Sequence, residues 1–347
     1  MSKQNSGGTF VPVMPFHMVW LATNACNARC LHCSSNSAQR SADELATKEV
    51  YAMVDDFVEA GVVDLGISGG EPLIRKDLFQ IIAFVKSRGM SVGVATNGAK
   101  LDRWKAEKLA DLEINRLQIS LDGLAEPHET LRCWPGLFER ALSTIELAKN
   151  CGIRVHVCCT ISQLNVDQLD TFVECVASLG VSRLNLSRFV PTGRGVESLD
   201  LPSQRWQEVI KTCVRLRNKY VGRLEIVSHL AQQILVDDIV TDMPGFIGCQ
   251  AGRGQGCITA NGTIFPCVLL PIPLGNIREA SFRDIWQGAP VVQQLQDRSN
   301  LQGRCGSCDV QSRCGGCRAV AFAKTGQLFG DDPRCWLQQE KEVLFSH

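Results

Sequence analysis

The chain has 347 residues, and its 36 lysines and arginines equal its 36 aspartates and glutamates in number. This length suits one large domain with a smaller appendage. The balanced charge excludes bulk attraction to nucleic acid or to an anionic membrane. The first 20 residues lack a signal-peptide pattern, and no apolar stretch of about 18 residues occurs. We therefore predict a cytoplasmic protein that binds neither nucleic acid nor a membrane.

Cysteine is the most informative residue type, with 17 in the chain. A secreted scaffold rich in disulfides would be short and made mostly of loops. This chain is long, regularly patterned and without a signal sequence. Its cysteines are therefore predicted to be reduced thiols or metal ligands.

Short β-rich segments alternate with longer amphipathic segments from about residue 16 to residue 228. The predicted strands are residues 18–21, 63–68, 91–96, 116–121, 154–161, 183–189 and 224–227. The predicted helices are residues 50–60, 78–88, 104–112, 137–150, 166–179 and 204–220. Helices of this length suit parallel crossovers, so six βα units predict an α/β fold with a complete or partial parallel barrel. A doubly wound open sheet stays the alternative, because alternation does not reveal closure.

The sequence changes character after Asp242, where glycine, proline and cysteine become dense and helical periodicity weakens. Eight of the 17 cysteines lie between Cys249 and Cys335. We therefore predict an N-terminal tail (1–15), a barrel domain (16–236) and a cysteine-rich domain (237–347).

Three cysteines, Cys26, Cys30 and Cys33, follow the first predicted strand in a Cys-x3-Cys-x2-Cys arrangement. In α/β barrels the active site forms at the carboxyl ends of the strands. Three close thiolates can hold three irons of a four-iron cluster and leave the fourth iron open. A zinc site with a distant fourth ligand is the alternative, although zinc loops usually supply their ligands in pairs.

This cysteine spacing resembles the signature of the radical S-adenosylmethionine (SAM) superfamily. The resemblance implies that Cys26, Cys30 and Cys33 hold a [4Fe-4S] cluster, with His32 where the family commonly has an aromatic residue or a histidine. It also implies reductive cleavage of SAM to a 5′-deoxyadenosyl radical, which abstracts a hydrogen atom from the substrate. A flavodoxin or a ferredoxin-type protein would donate the electron.

Segments at the later strand ends resemble the SAM-binding motifs of the same superfamily. Gly69-Gly70-Glu71-Pro72 resembles the GGEP motif, in which glycines permit close approach and a carboxylate suits the SAM amine. Similar enzymes contact the SAM carboxylate, ribose and adenine from the next strands. Each segment taken singly is also an ordinary turn. The predicted SAM-binding residues are Gly69, Gly70, Glu71, Pro72, Thr96, Asn97, Ser120, Asp122, Thr160 and Arg188.

The eight C-terminal cysteines are enough to ligate two four-iron clusters. In isolation their two Cys-x2-Cys pairs could instead form a zinc ribbon. The pattern resembles the SPASM extension of radical SAM enzymes, which implies two auxiliary [4Fe-4S] clusters. The last motif has two residues between its final two cysteines, where the family commonly has three. This shorter spacing also occurs in the subset of the family that resembles enzymes of heme and pyrroloquinoline quinone synthesis. The resemblance implies one ligand set of Cys249, Cys257, Cys267 and Cys317, and another of Cys305, Cys308, Cys314 and Cys335.

Two of the other six cysteines are candidate catalytic residues, although a free cysteine is commonly a small buried hydrophobic residue. Period-two alternation in the fifth predicted strand places Cys158 on the face that lines the barrel, together with His156 and Thr160. Cys133 lies in the loop after the fourth strand. Arg194 is a candidate for binding a substrate or SAM carboxylate, with surface solvation as the alternative.

The function is predicted from the branch that the chain resembles most, which includes maturases of mycofactocin, pyrroloquinoline quinone and alternative heme biosynthesis. Shared segments are Thr192-Gly193-Arg194-Gly195, Ala251-Gly252-Arg253 and Asp332-Pro333-Arg334-Cys335. This resemblance implies decarboxylation, crosslinking or epimerisation of a ribosomally made peptide. Since only about 15 residues precede the first strand, a separate small protein would bind the leader peptide.

Two alternatives to the peptide stay open. One is oxidative decarboxylation of a tetrapyrrole or another small molecule. The absence of a Cys-Ala-Pro segment between residues 226 and 233, a feature of similar heme decarboxylases, favours the peptide. The other is a non-enzymatic iron–sulfur scaffold or electron carrier, which would leave the GGEP-like segment without a role.

Overall fold

The computed structural model describes residues 2–4, 10–228, 230–243 and 246–337. Near the N-terminus, strands β1 (Ser2–Gln4) and β2 (Phe10–Pro12) form an antiparallel pair. His229, within the segment compared with heme decarboxylases, lies outside the described residues. Across the described ranges no helix is long and apolar enough to cross a membrane.

Seven parallel strands form the centre of the main sheet. They are β3 (His17–Leu21), β4 (Asp64–Ser68), β5 (Ser91–Thr96), β6 (Arg116–Ser120), β7 (Val155–Ile161), β8 (Arg183–Arg188) and β9 (Glu225–Ser228). Their order across the sheet follows their order along the chain. A doubly wound sheet requires a reversal of that order. The predicted partial barrel is therefore confirmed, and the doubly wound alternative is excluded.

Seven helices connect these strands. They are α1 (Thr47–Ala60), α2 (Leu78–Ser87), α3 (Arg103–Asp111), α4 (Ala125–Arg132), α5 (Leu137–Asn150), α6 (Leu169–Ser178) and α7 (Ser203–Lys219). All but α4 correspond to predicted helices. Helix α4 was missed because its sequence is polar and contains Pro127, which the first turn of a helix tolerates.

Alternation along the strands separates a core face from an inner face. Leu65 and Ile67 of β4 are fully buried in the core beneath the helices, whereas Gly66 and Ser68 between and after them are half-buried. In β7 the core residues include Val157. The inner face is built mostly from small or neutral polar side chains, so the barrel interior has room and hydrogen-bonding groups for a polar ligand. Residues of this inner face include Gly66, Ser68, Gly93, Gln118, Ser120, Cys158, Thr160, Asn185 and Ser187.

The C-terminal region extends the barrel sheet. Strand β10 (Gln255–Ile258) pairs in parallel with β3, and β11 (Thr263–Phe265) and β12 (Gly275–Asn276) add antiparallel strands beyond it. The helices of this region are α8 (Asp238–Asp242), α9 (Phe282–Gly288), α10 (Pro290–Gln296), α11 (Gly303–Gly306), α12 (Gln311–Cys314) and α13 (Arg318–Thr325). The cysteine-rich region is thus joined to the barrel through continuous backbone hydrogen bonding.

Candidate functional site

The three-cysteine loop leaves the carboxyl end of β3 and is held by several hydrogen bonds. The amide of Cys26 donates to the carbonyl of Ala38 at 3.1 Å. The buried carboxylate of Glu44 accepts from the Thr23 hydroxyl at 2.9 Å and from the Asn24 amide at 2.8 Å. These bonds fix the backbone from which the cysteines project.

The three thiols lie near hydrogen-bond donors. The Ala28 amide is 3.4 Å from the Sγ of Cys26, and Nη1 of Arg132 is 3.9 Å from the Sγ of Cys30. The Ser35 hydroxyl lies 3.5 Å from the Sγ of Cys33. Burial raises the pKa of the Cys26 and Cys30 thiols, so they would be neutral without a metal. Donors aimed at sulfur suit metal-bound thiolates, and the loop therefore fits an iron–sulfur cluster.

The described residues contain no group of three or more histidine, cysteine, aspartate or glutamate side chains arranged to hold a single metal ion. Ligands of one zinc ion converge on it, with Zn–S bonds of about 2.3 Å. An iron–sulfur cluster instead binds each thiolate through a different iron. A cluster therefore does not need the thiols to converge on one point, as a zinc ion does.

Arg194 holds the cysteine loop from the other side of the barrel. Its Nε donates to the Cys30 carbonyl at 3.1 Å, its Nη1 donates to the Ser37 carbonyl at 2.7 Å, and its amide donates to the Cys33 carbonyl at 2.9 Å. A Cβ on Gly193 would lie 2.4 Å from the Cys33 carbonyl oxygen, so this close approach requires glycine. The structure thus gives the Thr-Gly-Arg-Gly segment a role that the sequence analysis missed. Arg194 is engaged with the loop rather than solvated.

The GGEP-like segment passes directly beneath the cysteine loop. Gly69 has φ of 123°, and a Cβ on Gly70 would lie 2.1 Å from the Ala25 carbonyl oxygen. The amide of Gly70 donates to the Thr23 carbonyl at 2.7 Å. Both glycines are therefore needed for the packing of the two loops. Pro72 then begins a buried 3-10 turn.

Glu71 is fully buried and is bound by donors of its own chain. Its Oε1 accepts from the Thr96 hydroxyl at 2.8 Å and from the Leu73 amide at 3.1 Å, and its Oε2 accepts from the Asn97 amide at 2.9 Å. Burial raises the pKa of Glu71, which these hydrogen bonds oppose. The carboxylate joins the ends of β4 and β5. Its predicted ion pair with the SAM amine stays a prediction.

Asp122 is the centre of a second buried network, at the end of β6. Its Oδ2 accepts from Arg132 at 2.8 Å and lies 3.5 Å from Nε2 of His32, and its Oδ1 accepts from the Thr160 amide at 2.8 Å. Burial opposes ionisation of Asp122, but Arg132 and the histidines outweigh it and lower its pKa to about 2. Since Arg132 also contacts the Sγ of Cys30, this network connects the strand ends to the cysteine loop.

The structure separates the two candidate catalytic cysteines. Cys158 lies on the inner face of β7, with its Sγ 3.7 Å from the Ser187 hydroxyl, and burial raises its pKa to about 11. Cys133 is exposed, and its Sγ lies 3.7 Å from the Thr130 carbonyl oxygen. It lines an open groove formed by α4 and the following turn, to which no barrel strand contributes. Of the two, only Cys158 lies inside the barrel.

Arg188, the last residue of β8, binds the C-terminal region. Its Nη1 and Nη2 lie 3.0 and 3.4 Å from the carboxylate oxygens of Asp332, and its guanidinium packs over the Trp206 ring. Asp332 is fully buried and also accepts from the Cys317 amide at 2.8 Å. The Arg188 guanidinium is thus engaged by this ion pair, and its predicted contact with SAM stays a prediction.

Four of the C-terminal cysteines line one cavity of about 520 Å³. They are Cys305, Cys308, Cys314 and Cys335, the members of one set implied by the family resemblance. Leu235 and Val310 contribute apolar walls. A chamber lined by four thiols and apolar side chains fits an iron–sulfur cluster.

The other set of cysteines is also gathered in one place. Burial raises the pKa of Cys267 to about 12, and the nearby Cys249 and Cys317 thiols contribute to this rise. Cys257 is almost fully buried, and its pKa is raised by burial and by the neighbouring Cys267. The Leu269 amide donates to the Sγ of Cys267 at 3.5 Å. These neighbours support the grouping that the resemblance implied.

Three buried arginines beside these thiols escaped the sequence analysis. Arg253, Arg298 and Arg318 are between 0% and 5% exposed. The sequence signal was the glycine pair Gly315 and Gly316, but the sequence did not reveal which side chains these glycines accommodate.

Two family models match the chain. The radical SAM superfamily model matches residues 20–179, and the iron–sulfur cluster-binding domain model, SPASM, matches residues 249–309. The chain is 33% identical over 335 residues to the AdoMet-dependent heme synthase of Methanosarcina barkeri, a match that covers 92% of this chain and 96% of the relative.

Further similarities extend to peptide-maturing proteins. The chain is 29% identical to the mycofactocin maturase MftC of Mycolicibacterium smegmatis, a match that covers 92% of this chain and 82% of the relative. Among solved structures, that of Streptococcus suis SuiB bound to its precursor peptide SuiA has a TM-score of 0.77 at 17% identity, and the match covers 93% of this chain and 76% of SuiB. At this identity the structural match indicates a shared fold.

Proposed function

The chain belongs to the radical SAM superfamily, and we propose that it oxidises a carboxylate-bearing biosynthetic intermediate, with a tetrapyrrole side chain as the first candidate substrate. The observation that carries this proposal is the Arg188–Asp332 ion pair, with 3.0 Å between Nη1 and Oδ2. It joins the end of a barrel strand to the backbone of Cys317 in the C-terminal cysteine region. A reaction site in the barrel would thus lie next to groups able to accept electrons.

We propose [4Fe-4S] clusters at all three cysteine sets. When bound, the cluster at Cys26, Cys30 and Cys33 would supply the electron for SAM cleavage, and the two auxiliary clusters would accept the electron that remains on the substrate after hydrogen abstraction and carbon dioxide loss.

The protein's own residues would position SAM and exclude water. Gly69, Gly70 and Pro72 bring the backbone close to the cysteine loop, and Glu71 holds Thr96 and Asn97 at the neighbouring strand end. The half-buried Ser120 and Thr160 offer hydroxyl groups on the inner face. Asp122 acts through Arg132 and the Thr160 amide, and is therefore proposed as a positioning residue.

The tetrapyrrole comes first because the relative at 33% identity, matched over 96% of its length, is named a heme synthase. The sequence analysis preferred a peptide on the absence of a Cys-Ala-Pro segment. A peptide stays the second candidate, because the chain is also 29% identical to a mycofactocin maturase. Leader binding by a separate protein belongs to this second candidate.

The proposal is tested with anaerobically reconstituted enzyme, a chemical reductant, SAM and iron coproporphyrin III, whose propionate side chains are the expected site of reaction. Mass spectrometry should show loss of carbon dioxide and two hydrogens from a propionate, with one 5′-deoxyadenosine formed per event. The matched control replaces Cys26, Cys30 and Cys33 with alanine and should form neither product.

The second candidate is tested with the product of any short open reading frame beside the gene. Consumption of that peptide, with no reaction of the porphyrin, would replace the tetrapyrrole assignment. In heavy water a gain of one mass unit on the peptide would indicate epimerisation, whereas loss of two hydrogens would indicate crosslinking.

A further inference from the structure

Within the described residues, three arginines are buried beside the C-terminal cysteines without a carboxylate partner. Arg253 is 1% exposed, Arg298 is 5% exposed and Arg318 is fully buried. Among the described residues none of the three forms an ion pair. A buried guanidinium is normally paired with an anion, since removing its charge from water costs several kcal/mol. The side-chain carboxylates of the described residues therefore leave these positive charges unbalanced, and anionic groups beside them would be stabilised.

Each arginine lies beside a particular set of cysteines. Arg253 neighbours Cys249, and two of its nitrogens, Nε and Nη1, find no hydrogen-bond partner in the part of the chain that the structure describes. Arg318 donates through Nη1 to the carbonyls of Leu328 and Gly330, at 3.0 and 2.6 Å, and its Nη2 lies 3.8 Å from the Sγ of Cys305. Arg298 donates to the Cys249 carbonyl at 2.6 Å and also neighbours Cys314, so it lies between the two sets.

The Cys-Gly-Gly-Cys segment makes room for two of these arginines. A Cβ on Gly315 would lie 2.2 Å from Nη1 of Arg298, and a Cβ on Gly316 would lie 2.5 Å from Nη2 of Arg318. Both glycines also have positive φ, 69° and 57°. The local backbone is thus built to accommodate the buried guanidinium groups.

The buried arginine at the cysteine loop of the barrel has a different charge balance, whereas Arg194, which also binds this loop, is only half-buried. Arg132, which contacts the Sγ of Cys30, is paired with Asp122 at 2.8 Å. Its positive charge is therefore balanced by a carboxylate. The C-terminal arginines have no such balance within the described residues.

We propose that Arg253, Arg298 and Arg318 compensate the negative charge of the two auxiliary clusters and raise their reduction potentials above that of the cluster at Cys26, Cys30 and Cys33. Four thiolates make each auxiliary cluster anionic, and taking up one electron makes it more so. A nearby unpaired cation favours the reduced state, because Coulomb interactions are strong in a buried site. This charge balance directs electrons from the substrate toward the auxiliary clusters.

The positions assign a separate effect to each arginine. Arg253 acts on the cluster of the Cys249 set, Arg318 acts on the cluster of the Cys305 set, and Arg298 acts on both. The inference rests on the proposed cluster ligation, which the iron content of the same samples checks separately. Wild-type protein that lacked auxiliary iron would contradict the ligation itself.

The test is a potentiometric titration of the reconstituted full-length enzyme, followed by electron paramagnetic resonance. Arg253→Met and Arg318→Met should each shift one auxiliary signal to lower potential, and Arg298→Met should shift both. We expect at least about a tenfold change in the reduction equilibrium, which is about 59 mV for a one-electron couple. Arg298→Lys, which keeps the charge, should shift less than Arg298→Met. The control is Arg278→Met, which removes an arginine paired with Glu49 at the surface.

Shifts no larger than that of Arg278→Met would overturn the proposal, as would equal shifts for Arg298→Lys and Arg298→Met. If a variant fails to bind iron, urea unfolding of the metal-free full-length chain distinguishes a charge role of the arginine from a packing role. Without metal, the buried charge of Arg253 is uncompensated and destabilises the fold. Metal-free Arg253→Met should therefore be at least as stable as the metal-free wild type. A marked loss of stability would instead identify Arg253 as a packing residue and refute the charge role.

Discussion

Replacing Glu71 with glutamine tests whether its carboxylate holds the ends of two barrel strands together. The carboxylate accepts three hydrogen bonds, at 2.8, 2.9 and 3.1 Å. An amide has one acceptor oxygen, so Glu71→Gln keeps at most the two bonds to Oε1 and sets an NH2 group against the Asn97 amide. Each hydrogen bond to a charged group is worth about 1.5–3 kcal/mol.

The expected loss in the free energy of unfolding is about 2 kcal/mol, because removal of a buried charge offsets part of the lost hydrogen bonding. Thr96 and Asn97 lie at the proposed SAM site. A displacement of their backbone should weaken SAM binding about tenfold, which corresponds to about 1.4 kcal/mol. The iron content should not change, since the hydrogen bonds of the Glu71 carboxylate go to Leu73, Thr96 and Asn97 and not to a cysteine.

The measurements are urea unfolding, calorimetric titration with SAM, and iron analysis of the same reconstituted sample. Glu49→Gln is the control, because Glu49 pairs with Arg278 at the surface and should contribute under about 1 kcal/mol. Unchanged stability of Glu71→Gln would refute the strand-joining role. Loss of iron without loss of SAM affinity would show that Glu71 supports the cysteine loop instead of the SAM site.

Three further predictions follow from single contacts. Arg194→Met removes the side-chain donors to the cysteine loop. Iron analysis should therefore show loss of about four irons, with the auxiliary clusters retained. An unchanged iron content would contradict the role of Arg194. Burial lowers the pKa of His156 from 6.5 to about 4, so stability should fall as the pH drops from 6.5 toward 4, by about 1 kcal/mol between pH 6.5 and pH 5.5. In urea unfolding, the stability of His156→Gln should not fall in this pH range. If the variant shows the same pH dependence of stability as the wild type, His156 is not its cause. Cys158→Ala should change product formation with substrate more than Cys133→Ala, because only Cys158 lies inside the barrel; equal effects would contradict this.

Hydrophobic periodicity was sufficient to predict most of the barrel. Strand β5 and helix α5 have the predicted bounds because a short β-rich run and a long apolar stripe are each unambiguous there. Periodicity failed for α4, whose polar sequence gives little apolar signal. It also failed for β10, β11 and β12, since strands of two to four residues are too short to show a pattern.

Cysteine spacing predicted the candidate site better than it predicted the contacts of individual residues. Long-range partners are not visible in a local pattern, so the sequence did not show that Arg188 pairs with Asp332, which lies 144 residues later. For the same reason the sequence did not show that Arg194, a candidate for binding a substrate or SAM carboxylate, donates to the Cys30 carbonyl. The sequence showed the glycines of the Cys-Gly-Gly-Cys segment, but only the packed structure reveals the guanidinium groups beside them.

The central claim is that this enzyme holds one SAM-cleaving cluster and two auxiliary clusters. Its most direct test is the metal content of anaerobically reconstituted protein, measured with and without the barrel cysteines. Wild-type protein should bind about twelve irons and form 5′-deoxyadenosine from SAM when reduced. Replacing Cys26, Cys30 and Cys33 with alanine should remove about four irons and abolish 5′-deoxyadenosine formation. Fully loaded protein with stoichiometric zinc and only about four irons would contradict the claim.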